Sequence, residues 1–290
     1  MAVPDLDPEN GLMSNRDLTL MAVHAHPDDE AMSTGGILHR YGLEGVRTVL
    51  VTCTGGELGD GPGGVKPDQP GHDEVAVREM RKRELAASCK ALGVSHLELL
   101  GYLDSGMEGW AQNGRPSSLS GTPLAEEVAK LESLIERYQP QVVVTYDERG
   151  GYAHPDHIRA HDLARAATLE SGVPAKLYYT ALPKSLVRTA MAAAAAAGLK
   201  REDLPDFDFD PEDPPFGVED DLITTVVDVS ADLPAKMESL RCHASQMDNA
   251  FMLNLPDVVV GAFMGREHFI RAFDRNQGPL PETDLFAGLR

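Results

Sequence analysis

The chain has 290 residues, 42% hydrophobic and 25% charged, and its 26 basic against 46 acidic residues leave a formal net charge of −20. That length buries a full core in one large domain, or in one domain with a smaller appendage. The acidic balance argues against nucleic acid and anionic membranes as partners, because phosphate binding needs Lys and Arg, and it favours neutral or weakly charged small substrates. An acidic host proteome gives the same balance.

Three scattered cysteines, Cys53, Cys89 and Cys242, do not form a disulfide framework or a Cys-zinc site. The opening "MAVPDLDPENGLMSNRD" is polar and proline-bearing, unlike a secretory signal. No apolar run reaches membrane-spanning length, so the expected home is a reducing cytoplasm.

In chain order, "LTLMAVHA" (18–25) is a short apolar run suited to a strand buried on both faces. A helix is predicted over 29–44, stopped near Gly45, and "VRTVLVTCT" (46–54) is a β-branched second strand. The Gly/Pro-rich stretch 55–72 is a loop. Residues 73–92 have helical spacing, with Asp73 as N-cap and Gly93 just past the end. A strand over 95–102, a loop to about 120, a helix over 122–138 and the strand "QVVVTY" (141–146) follow. A further loop leads into "HPDH" (154–157) and a helix to about 171. Next come a strand over 175–182 and a helix over 185–199, whose alanine run reflects helix propensity. The acidic, proline-rich segment 201–221 reads as a solvated connector, since it lacks the spacing and central Gly of a calcium loop. A strand over 222–230, a helix over 232–246 and an apolar helix over 257–273 complete the chain.

Strands alternating with helices predict an α/β fold, a Rossmann-like, mostly parallel sheet flanked by helices. Residues 1–200 form its core. Residues 201–290, the acidic connector and a smaller C-terminal portion, complete the same domain and close the site. Ligand sites in such sheets form at the C-terminal ends of strands. "HAHPDDE" (24–30) ends the first strand, and HPDH lies just beyond QVVVTY.

Pro27 cannot continue a strand ladder, so the chain turns there and presents His26 at the strand end. His26 and Asp29 can converge on one cation across that turn, leaving Asp28 pointing elsewhere. Either aspartate could instead cap the helix, whose dipole favours carboxylates. In HPDH, Pro155 suits the first helical turn, with His154 and His157 on either side. One of these histidines can be a ligand while the other faces substrate. Two His and one carboxylate leave open metal positions, which is a catalytic arrangement, and zinc or iron(II) fits the set. A free carboxylate then serves as base for the attacking water, and a second histidine as donor to an oxyanion or leaving amine.

Beyond the two clusters, "TGGELGD" (54–60), "MRKRELAASCKALGV" (80–94), "YLDSGM" (102–107), "YDERGGYAHPDH" (146–157) and "CHASQ" (242–246) occur in this order. With them the chain resembles the LmbE-like, PIG-L superfamily of zinc-dependent N-acetylglucosaminyl deacetylases. It looks closest to the branch holding the mycothiol-pathway deacetylase and the mycothiol S-conjugate amidase. The resemblance implies His26, Asp29 and His157 as zinc ligands and Asp28 as the general base. It implies that His154 stabilises the tetrahedral intermediate, with Asp156 orienting it from behind. Tyr152 would contact the substrate carbonyl or oxyanion, and Arg81 and Asp104 the sugar. Arg81 in a charged helix is equally suited to pairing with acids, and Asp104 to capping a turn. His24 is expected to face the core, and His243 to make a structural contact. The stretch 248–275 does not match the ending of either mycothiol enzyme.

The reading is a zinc-dependent (or iron(II)-dependent) hydrolase. It removes an N-acetyl group from a small N-acylated amino sugar of the N-acetylglucosamine type. Its alternatives are an amidase cleaving a longer acyl group from a mycothiol-type conjugate, and a non-catalytic sugar- or metal-binding protein. An exposed face of the apolar 257–273 helix would suit a homo-oligomer contact. A nucleotide-binding module would carry GxGxxG after the first strand, where HPDDE stands instead.

Overall fold

In the computed structural model, residues 13–198, 216–246 and 252–290 are described. The strands are β1 (Thr19–His24), β2 (Arg47–Thr54), β3 (His96–Tyr102), β4 (Val142–Tyr146), β5 (Lys176–Ala181), β6 (Thr225–Asp228) and β7 (Arg266–Asp274). They form one seven-stranded sheet in the order β3-β2-β1-β4-β5-β7-β6. The first five are parallel, and β7 runs antiparallel to both β5 and β6. This is an α/β fold with a mostly parallel sheet.

The apolar runs read as strands because alternate side chains serve two cores. Met21, Val23, Val49, Val51 and Val143 face helices α4 (Leu124–Tyr138) and α6 (Pro155–Ser171), packing with Leu131, Ile135 and Leu163. Leu20, Ala22, Leu50, Val142 and Val144 face α2 (Gly35–Leu43) and α3 (Glu74–Leu92), packing with Ile37, Leu38 and Leu85. With both faces covered, alternation of polar and apolar residues disappears from the sequence.

Chain order reverses between β1 and β4, which pair in register at Leu20–Val142, Met21–Val143 and Ala22–Val144. The C-terminal ends of these two strands flank a topological switch point, where an open α/β sheet leaves a crevice. HAHPDDE leaves β1 there, and HPDH follows β4 through a short irregular helix α5 (Gly150–Ala153).

Two expectations are corrected. The helix foreseen over 29–44 is two helices, α1 (Asp29–Ser33) and α2, broken at Thr34 (φ −138°, ψ 4°). The Glu267 carboxylate enters the break and accepts from the main-chain N–H of Gly36 at 2.8 Å and Ile37 at 2.9 Å. It is held there by Lys236 at 2.6 Å. A Cβ on Gly36 would lie 2.5 Å from the Val229 side chain, so only glycine lets Val229 pack against the break. The helix foreseen over 257–273 stops at Met264, and 266–274 is strand β7. Gly265 ends the helix, and the free edge of β5 supplies a ladder that local propensity does not reveal. Residues 184–196 form α7 (Lys184–Ala196), 233–242 form α8 (Leu233–Cys242) and 257–264 form α9 (Asp257–Met264). Helices α8 and α9 pack their apolar faces on Ala31 of α1 through Met237, Leu240, Val260 and Met264. Residues 199–215, which include most of the acidic connector, and 247–251, which include the start of the stretch 248–275, lie outside the described residues. No described helix is long and apolar enough to cross a membrane.

Candidate metal centre and active site

Three polar groups meet at the switch point. His26 Nδ1 lies 3.3 Å from His157 Nε2 and 3.6 Å from Asp29 Oδ2. His157 Nε2 lies 3.4 Å from Asp29 Oδ1. The other nitrogen of each ring is occupied. His26 Nε2 donates to the Asp156 carboxylate at 3.1 Å, and His157 Nδ1 donates to the Gly150 carbonyl at 3.1 Å. With those nitrogens donating, His26 Nδ1 and His157 Nε2 are the ring atoms left to face each other and Asp29, and they need a proton or a cation between them. Ligands bonded to a tetrahedral ion at about 2.0–2.1 Å stand about 3.3–3.4 Å apart, so this donor set fits a small divalent metal. His154 also lies within reach, giving a His26–His154–His157 cluster beside a second, His26–Asp104–Asp156.

The charge balance points the same way. Burial opposes a proton on His26, but Asp104, Asp156 and Asp29 outweigh it and lift the imidazole well above its ordinary pKa. A site this anionic attracts positive charge, as a proton or as a metal ion. His157 is lowered to about 4 by burial, despite Asp29. Asp29 is held well below the usual carboxylate range: His157 and His26 overcome the effect of its burial.

The local architecture explains the geometry. Gly150 has φ +61°, and a Cβ there would lie 2.7 Å from the Cβ of His157, so glycine lets the carbonyl reach the ring. Tyr146, at the end of β4, stacks on His157 with centroids 4.3 Å apart. Its hydroxyl accepts from the Ala25 N–H at 2.8 Å, tying the two strand ends together. His154 is the N-cap of α6: its Nδ1 accepts from the Asp156 N–H at 3.1 Å. That bond leaves the proton on Nε2. Burial, then His26 and His157, lower His154 to about 3, so the ring is neutral.

Asp28 stands beside the triad with its side chain 21% exposed. Its backbone has φ +120°, a region that L-residues rarely enter. Burial raises its carboxyl to about 6, with Arg81 opposing and Asp29 adding. Arg81 is only 4% exposed. It reaches the Gly56 carbonyl at 2.7 Å, the Pro27 carbonyl at 2.5 Å and Asp28 Oδ2 at 3.1 Å. Asp104 is likewise buried. It accepts from the Gly106 N–H at 2.8 Å and the Leu58 N–H at 3.3 Å, and lies 3.7 Å from His26 Nε2. Both residues line a cavity of about 400 Å³ with Asp60, Lys66, Trp110 and Gln246. Tyr152, 58% exposed, stands edge-on to His157 at the mouth, with centroids 4.9 Å apart.

One expected contact is replaced by another. The Asp156 carboxylate does not back His154. It accepts from His26 and from the Ser105 N–H at 2.9 Å, and only its main-chain N–H serves His154. The first turn of α6 points this side chain inward, towards the β1 terminus. His24 is buried between Tyr146 and Thr34, and His243 lies fully buried against Glu30. Sequence reasoning missed Ser105, Gln246 and Glu30. All three sit inside recognised motifs, which is the signal that could have found them.

The family model described as "PIG-L: GlcNAc-PI de-N-acetylase" matches residues 21–168. The chain belongs to this family. The 1D-myo-inositol 2-acetamido-2-deoxy-alpha-D-glucopyranoside deacetylase of Acidothermus cellulolyticus is 40% identical, over 93% of this chain and 95% of that protein. Among solved structures, N,N'-diacetylchitobiose deacetylase from Pyrococcus horikoshii superposes with a TM-score of 0.55 at 19% identity, covering 87% of this chain and 83% of that one. The 4-carboxy-2-hydroxymuconate hydratase of Pseudomonas putida KT2440 has a TM-score of 0.57 at 17% identity, covering 91% and 99%. These two likenesses concern the fold alone, since one fold carries a deacetylase and a hydratase. The family and the curated relatives make this chain a metal-dependent hydrolytic N-deacetylase acting on an acetylated glucosamine-type substrate.

Proposed function

We propose that this PIG-L member uses zinc to remove the N-acetyl group of an N-acetylglucosaminyl inositol, the substrate type named for its curated relatives. The observation that carries the reading is the convergence of His26 Nδ1 and His157 Nε2, 3.3 Å apart, closed by Asp29 and flanked by Asp28. In this reading His26, Asp29 and His157 hold the ion. When bound, the ion supplies Lewis-acid polarisation of the amide carbonyl and acidifies water in the site.

Asp28 accepts the proton of the attacking water. Its carboxyl near 6 suits a base working around neutrality. The His154 Nε2–H, fixed by the Nδ1 cap, donates to the oxyanion of the tetrahedral intermediate, and Tyr152 at the mouth can assist. Asp28 then returns its proton to the amine as the C–N bond breaks, leaving acetate and the free amino sugar. Asp156 keeps His26 in its ligating tautomer. Asp104 and Arg81 wall the sugar cavity, and Arg81 also steadies Asp28.

A second cavity of about 460 Å³ favours a second reading. It opens on Asp28, Asp29 and Tyr152 and is lined by Met32, Leu182, Leu186 and Phe263. An acetyl group needs no such space, so an amidase accepting a longer acyl chain is the other candidate. Amine release from N-acetyl and longer N-acyl glucosaminides, with apo-protein reloaded with zinc or iron(II), separates the two. Metal-dependent release from the N-acetyl inositol glycoside, fastest with zinc, is the expected result. Release only from long-chain substrates moves the assignment to amidase.

A further inference from the structure

We propose that Glu30 and His243 form a positioning pair that holds Asp28 in its strained backbone conformation. The inference rests on the reading of Asp28 as the proton acceptor. Asp28 has φ +120° and ψ −27° between Pro27 and α1, and its N–H donates to Glu30 Oε2 at 3.0 Å. Glu30 is fully buried, a costly place for a carboxylate unless its oxygens are satisfied. Its other oxygen accepts from His243 Nε2 at 2.6 Å and from the Ser88 hydroxyl. Ser88 in turn bonds the Ser239 hydroxyl at 2.6 Å.

His243 is also fully buried and caps the C-terminal end of α8. A carboxylate kept only to fill space would not aim one oxygen at the N–H of a strained residue that directly precedes a metal ligand. The backbone angle of Asp28 decides where its side chain leaves the turn. On the opposite side Arg81 holds the Pro27 carbonyl and the Asp28 carboxylate. The turn is therefore gripped from two directions, and α8 reaches the reaction through Glu30 without touching substrate. A displacement of about 1 Å at a reacting group is enough to cost activity heavily.

The test uses matched pairs in the full, zinc-loaded chain: Glu30→Met against Glu30→Gln, and His243→Leu against His243→Gln. Each amide keeps a polar partner at the same reach, while each apolar residue removes it. Amine release from an N-acetylglucosaminide should show kcat down about tenfold or more for the apolar members, with KM within about twofold and native metal content. The amide members should stay within about threefold of native kcat. In crystals of the metal-free protein, Asp28 should leave positive φ in an apolar variant and keep it in its amide partner. If Glu30→Met does not fold, the His243 pair decides alone. Native kcat in folded apolar variants, a kcat that falls only with metal loss, or an unmoved Asp28 angle overturns the proposal. Asp28→Asn in the same assay separates the levels. If it turns over normally, the base assignment fails and this inference with it. If it is inactive while the apolar variants are native, only the positioning role fails.

Discussion

The turn after β1 and the turn before α6 share the letters His-Pro-Asp, and the chain treats them differently. At the second, His154 is extended (φ −66°, ψ 131°), caps the helix with its own ring, and Pro155 occupies the first turn. This is a relaxed helix start. At the first, Pro27 is followed by Asp28 at φ +120° with no side-chain cap. Such a residue costs on the order of 1–3 kcal/mol. The aspartates diverge as well: Asp156 is turned fully inward onto His26, and Asp28 faces the cavity. At the first turn the positive φ thus falls on the residue proposed to move protons, whereas at the second it falls on Ala153 (φ +67°), ahead of an ordinary cap that fixes a tautomer.

Asp28→Asn is the strongest probe of that contrast. It should retain the metal, because His26, Asp29 and His157 remain, and lose about 10³-fold in kcat, within the range for a general base. Metal titration alongside turnover checks both halves; normal turnover with bound metal would refute the base. At the relaxed turn, His154→Asn should separate cap from chemistry. Asn is itself a good N-cap, so the melting temperature should hold. The loss of the Nε2–H should still lower kcat by about 10²-fold. An unchanged kcat would reduce His154 to a cap. Smaller still is the pH effect. A base must be ionised, so kcat/KM should rise with pH and level off at or below about 6, the value to which burial lifts Asp28, since a bound cation lowers it further. A limb that instead levels off well above this value would point to another group.

The asymmetry between the turns was only half legible in the sequence. Strands β1 to β5 stand out because burial on both faces leaves continuous apolar runs, and Asp73 and Gly93 bracket α3 with ordinary cap chemistry. The convergence of His26, Asp29 and His157 follows from strand ends meeting at the switch point. Strand β7 was hidden, because the residues following "VVVGAFMG" satisfy helical and strand periods alike until β5 offers an edge. The Asp156–His26 and Glu30–His243 bonds span 130 and 213 residues of chain, and no local pattern encodes which carboxylate meets which ring. The φ of Asp28 was equally invisible, since the same letters leave Asp156 helical after Pro155.

The finest test asks whether the strained turn trades stability for chemistry. Folding raises the Asp28 carboxyl from 3.8 to about 6, chiefly through burial, partly offset by Arg81. Between those values the metal-free folded chain binds more protons than the unfolded chain, so stability falls as pH rises. The stabilising effect of the proton is complete below the unfolded value and gone above about 6. Asparagine does not titrate and still offers an oxygen to Arg81. Metal-free Asp28→Asn should therefore melt at a higher temperature than the parent at pH 7–8. After discounting for partial exposure the gain is about 1–2 kcal/mol. The advantage should shrink towards pH 4. Denaturation of both proteins across that range gives the difference directly. A variant no more stable at pH 8 than at pH 4 would mean that the buried carboxylate is fully compensated by Arg81, and that the first turn carries only backbone strain.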